Sequence, residues 1–151
     1  MKRQVLLVLG SALVSIVASA LLGRFALNIS PFGHLVREMN HTSITAVPQA
    51  GSEYSDLLEA TTHMLRLTTF LLDPIAALFT GFLVGLWGGK GSATLAALGI
   101  LPLAAFSAFS YPWLWAGISG GAIDILVASG TAHLVSEYRA RLTSSPKAAH
   151  Q

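Results

Sequence analysis

Cysteine is absent from this 151-residue chain, which excludes disulfides, thiolate nucleophiles and cysteine-bound metals. Charge is scarce as well. Asp, Glu, Lys and Arg make up 11% of the residues, against about 25% in a typical soluble domain, while 53% are hydrophobic. The formal net charge of +2 is too mild to point to nucleic acid. The scarcity is also uneven, for Gly91 to Ile123 contains no Asp, Glu, Lys, Arg or His at all. About 20 apolar residues cross a hydrocarbon core of about 30 Å, so this run is too long for one crossing. Tyr111-Pro112 interrupts it and turns it into a helical hairpin within a bilayer.

Marks of catalysis are missing too. Gly88-Gly89-Lys90-Gly91-Ser92 has neither the spacing of a phosphate-binding loop nor a strand before it. There is no His-Glu-x-x-His pair, and Gly117-Ile118-Ser119-Gly120 comes only superficially close to a nucleophile elbow. An enzyme is the least supported class, and nothing implies a cofactor.

What the chain does have is apolar helix. The expected fold is all-α: an integral membrane four-helix bundle, N-in and C-in, forming a single domain over residues 1–151. The spans fall at about residues 4–25, 68–88, 92–110 and 113–135, with an outer loop at 28–66 and an inner tail at 136–151. Gln4 to Gly23 also fits a signal peptide with a small-residue exit at Ala18-Ser19-Ala20, but apolar Phe25-Ala26-Leu27 beyond Arg24 favours a retained helix. Within the outer loop, Ser52 or Ser55 can cap an amphipathic surface helix whose first turns carry Glu53, Asp56 and Glu59. Its apolar stripe is Tyr54, Leu57, Leu58, Met64 and Leu65. Pro102 predicts a kink in the third span.

Orientation follows from the basic residues. Lys2, Arg3, Lys90, Arg139, Arg141 and Lys147 fall on the inner side, and Arg24, Arg37 and Arg66 on the outer one. Trp87 and Tyr138 mark the inner interface, with Tyr111, Trp113 and Trp115 at the outer. The expected setting is a bacterial-type inner (plasma) membrane.

Small residues at four-residue spacing line one face of three spans: Ser11, Ser15, Ser19 and Gly23; Ala77, Gly81 and Gly85; Gly117 and Gly121. Such faces let membrane helices approach closely, either within the bundle or toward a partner chain. Asp124 is the most informative polar residue. It lies eleven residues beyond Trp113, hence about 16 Å deep, near the midplane. No Lys or Arg occurs at matching depth. Ser15 lies equally deep in the first span, and the depth match predicts that a neutral Asp124 bonds to Ser15 or to an exposed backbone carbonyl, fixing the first helix against the fourth. Asp73, just before Pro74, reads as an N-cap of the second span. In the outer loop His34, Glu38 and His41 are weak candidates for a metal site, with His63 as a possible fourth ligand.

These features point first to a non-catalytic accessory or assembly subunit, or a scaffold, of a larger membrane complex. Its expected partners are the lipid bilayer and other membrane-protein subunits or a second copy, and no nucleic acid. The alternative is a small oligomeric transporter or channel with Asp124 as its proton- or ion-linked residue.

Overall fold

The computed structural model describes residues 2–29, 52–110 and 114–144. Among these, every element is helical: α1 (Lys2–Ile29), α2 (Ser52–Leu67), a π-helical turn (Thr68–Leu72), α3 (Asp73–Gly88), α4 (Ser92–Ser110) and α5 (Leu114–Ser144). Four stretches, Lys2–Ile29, Glu59–Gly88, Ser92–Phe109 and Leu114–Ser144, are long and apolar enough to cross a membrane. Large apolar side chains such as Leu9, Leu13, Phe79, Phe106 and Leu126 point outward. The core is built from smaller ones, with Ala76, Ala77, Val84, Ala96, Ile100, Ala128 and Ala132 at its centre. This inverts the pattern of a soluble protein and suits a lipid surround, where close approach of backbones replaces the hydrophobic drive.

The helices form two flanks around a shared middle. α3 and α4 pack on each other; α1 lies against both on one side and α5 against both on the other. Glycines set the spacing on the α5 side. A Cβ on Gly117 would lie 2.6 Å from the Ala108 carbonyl oxygen, and one on Gly121 would lie 2.7 Å from that of Ala104. On α3, a side chain at Gly81 would run into the Ala128 backbone, and one at Gly85 would meet the Ala132 carbonyl oxygen at 2.8 Å. On the α1 side, Ser11 presses against Gly99 of α4. Ala77 is fully buried. These faces are therefore the seams of the bundle itself. Gly23 is the exception, since no other group lies within 4 Å of its Cβ position.

The α3–α4 turn needs glycine, because Gly89 and Gly91 have φ of 61° and 91°. The last carbonyls of α3 lack donors within the helix. Arg3 of α1 donates to the Trp87 carbonyl at 3.2 Å, and Arg139 of α5 donates to that of Leu86. These bonds gather Lys2, Arg3, Lys90, Arg139 and Arg141 at one end of the bundle.

α2 passes through the π turn into α3 without a non-helical residue, so the helix of the outer loop leads directly into the second span. Met64 of α2 packs with Ala26 of α1 and with Leu72. The side chains of residues 52–58 lie outside the described residues, as do Tyr111, Trp113 and Lys147. α1 and α5 also outrun their expected spans, to Ile29 and Ser144, because helix continues beyond the apolar stretch. Pro102 sits within an uninterrupted α4.

The seams predict a sharp contrast among glycines. Gly121→Ala should destabilise the bundle by about 1–3 kcal/mol through overpacking. Gly10→Ala and Gly130→Ala, where the added methyl meets nothing within 4 Å, should leave it unharmed or slightly firmer. Thermal melts in a mild detergent read the difference.

Candidate functional site

Pro74 has no N–H, and its ring crowds the carbonyl one turn earlier. The chain meets that conflict by widening into the π turn, in which the Asp73 N–H donates to the Thr68 carbonyl. Thr69 is thereby deprived of both usual donors: the Asp73 N–H is committed to Thr68, and Pro74 has none to offer. The Thr69 carbonyl oxygen faces α5, lying 3.6 Å from the Cβ position of Gly120.

Asp73 is not a cap. The helix is already under way before it, and the N-terminal boundary of α3 carries no side-chain cap bond. Its side chain turns inward and is 2% exposed. Ser19 of α1 donates to its Oδ1 at 2.6 Å, and Ser107 of α4 donates to its Oδ2 at 2.9 Å. Three helices thus meet on one carboxylate. Both oxygens accept from hydroxyls, so each acceptor of this buried carboxyl has a partner on another helix.

Asp124 approaches from the fourth helix. Gly120 of α5 lies against Thr69, and Ala128 lies against Gly81. Asp124, one turn from each, faces the intervening stretch of α3, which contains Asp73. Asp124 is 0% exposed, and neither of its oxygens has a hydrogen-bond partner among the described residues. The expected bond to Ser15 is not formed: Ser15 is fully buried but donates to the Ala12 carbonyl of its own helix at 2.8 Å. Depth was matched, but α1 and α5 lie on opposite flanks of α3 and α4.

The remaining polar interior is self-satisfied. Thr80 donates to the Ala76 carbonyl, Ser11 to that of Val8, and Ser92 across to that of Ala132. Gly117-Ile118-Ser119-Gly120-Gly121 does have elbow spacing, yet it lies within α5 and the exposed Ser119 donates to the Ala116 carbonyl. A cleft of about 730 Å³ opens at the Lys90 end, lined by Lys90, Ser92, His133, Glu137 and Arg139 among others, but not by Asp73 or Asp124. His34, Glu38 and His41 lie outside the described residues. His63 lies 3.7 Å from Glu59, and no group of three potential ligands occurs among the described residues.

Ser19→Ala and Ser107→Ala should each destabilise the bundle by about 1–3 kcal/mol, the range for leaving a buried acceptor short of one donor. Ser15→Ala, which removes only a bond within one helix, should have the smallest effect of the three in the same melts. Comparison with family models, with curated proteins and with solved structures finds no match for this chain.

Proposed function

We propose that this chain is a small multi-pass plasma-membrane protein that carries protons or ions, as a transporter or channel, with Asp124 at its ion-linked position. The observation that supports this most is a fully buried carboxyl without a hydrogen-bond partner among the described residues, on the α5 face that packs against the stretch of α3 carrying a second buried carboxyl. An acid at mid-bilayer depth costs about 2.5–3.5 kcal/mol on insertion scales, and such residues typically mark proton and ion pathways. An N-in, C-in orientation fits the concentration of Lys2, Arg3, Lys90, Arg139 and Arg141 at one end, against Arg24 and Arg66 toward the other.

The accessory-subunit role is the competing proposal, supported by the lack of a catalytic constellation and by the small-residue faces. The faces of Gly81, Gly85, Gly117 and Gly121 are occupied within the chain, while the Cβ position of Gly23 on α1 is open. Asp124, at 0% exposure, is also out of reach of a cation on a neighbouring subunit. A cleaved leader fits poorly, since removing α1 would take Ser19 away from Asp73.

Reconstituted into vesicles under an imposed proton or sodium gradient, the chain should raise flux above that of empty vesicles. Asp124→Asn should reduce that flux at least about tenfold, the scale of one essential charge interaction. Wild-type protein without flux, purifying with a stoichiometric larger partner, would instead favour the accessory role.

A further inference from the structure

Among the described residues, the interior around Asp73 and Asp124 is rich in oxygen and has no cationic side chain. Asp73 presents two oxygens, each already holding a hydroxyl. Those hydroxyls, on Ser19 and Ser107, donate their hydrogens to Asp73 and keep lone pairs available. The Thr69 carbonyl, stripped of its helical donors by Pro74, faces α5 beside Gly120. Asp124, one turn further along α5, adds two buried oxygens with no partner among the described residues. The spans carry no Lys, Arg or His near this depth. Arg24 and Arg66 belong to one end, and Lys90, His133 and Glu137 to the other.

We propose that Asp73, Asp124, Ser19, Ser107 and the Thr69 carbonyl form a binding site for one dehydrated alkali-metal cation. The inference rests on the ion-carrying reading above and names the ion class. Carboxylate and carbonyl oxygens are the donor set of hard cations. Within membranes, carbonyls released at a helix interruption are a recurrent way of replacing a cation's hydration shell. Mg²⁺ fits less well, because it gives up its water reluctantly and usually retains several water ligands. Here the carboxyls are 2% and 0% exposed, so an ion must shed its shell to enter. A cation there would balance carboxylate charge at Asp73 and give Asp124 the partner that it lacks among the described residues.

The test is melting of the purified full-length chain in detergent at fixed pH and ionic strength, in sodium, potassium or choline chloride. Sodium or potassium should raise the melting temperature over choline by about 5–10 °C at a hundredfold excess over the dissociation constant. Asp124→Asn should abolish the difference. Ser107→Ala, which keeps both carboxyls, should shift the half-maximal cation concentration up about tenfold, the equivalent of one lost polar contact. Identical melting of the wild type in all three salts overturns the site, whether or not Asp124→Asn folds. Melting that follows pH but is indifferent to the salt, with proton flux in vesicles, also overturns it while leaving the ion-carrying reading intact. Alkali-dependent melting without flux of any ion supports the site and sinks that reading instead.

Discussion

A carboxylate enclosed by a bundle of this kind must find its hydrogen-bond donors inside the protein, and Asp73 finds them on two other helices. Ser19 and Ser107 approach it from α1 and α4, so a single side chain sets where three helices sit relative to one another. The turn that delivers Asp73 is itself a response to Pro74. Without an N–H at that position the helix widens, and the backbone acceptors around Thr69 are rearranged. Pro74 thus connects a local backbone conflict to the chemistry of the interior.

Close packing depends on the same geometry. Gly117 and Gly121 let α5 settle on α4, while Gly81 and Gly85 let it settle on α3. Side chains at these positions would hold α5 away, and Asp124 would no longer face α3. The glycines therefore position the acid as much as they stabilise the bundle. In lipid this division of labour is expected, because tight contact and hydrogen bonding replace the hydrophobic drive between helices. At the far end, Arg3 and Arg139 close the α3 terminus by taking up carbonyls that the helix leaves open.

Much of this was legible in the residues. The uncharged run from Gly91 to Ile123, the Gly89–Gly91 turn and the spacing of Gly81, Gly85, Gly117 and Gly121 gave the spans and their inner faces. Asp124 stood out because nothing at its depth in the sequence could neutralise it. The partner of Ser15 is not legible in the sequence, because depth along a helix is written in residue number while adjacency across a bundle is not. Asp73 reads as a cap in the sequence because Asp-Pro at a helix start is a common local solution. Only the continuation of α2 into α3 shows that no start exists there. The signal available was the apolar register of Met64 and Leu67 running on toward Leu72 without a break, set beside serines on two other spans at compatible depth.

If Asp73 and Asp124 share one interior site, they are energetically coupled, and a double-mutant cycle measures that coupling directly. Stability would be compared for the wild type, Asp73→Asn, Asp124→Asn and the double variant in one detergent and buffer. The account predicts strong non-additivity, an interaction energy of about 0.5–3 kcal/mol, as expected for residues in contact or in one network. Additive effects within about 0.3–0.5 kcal/mol, the behaviour of distant and independent positions, would contradict it.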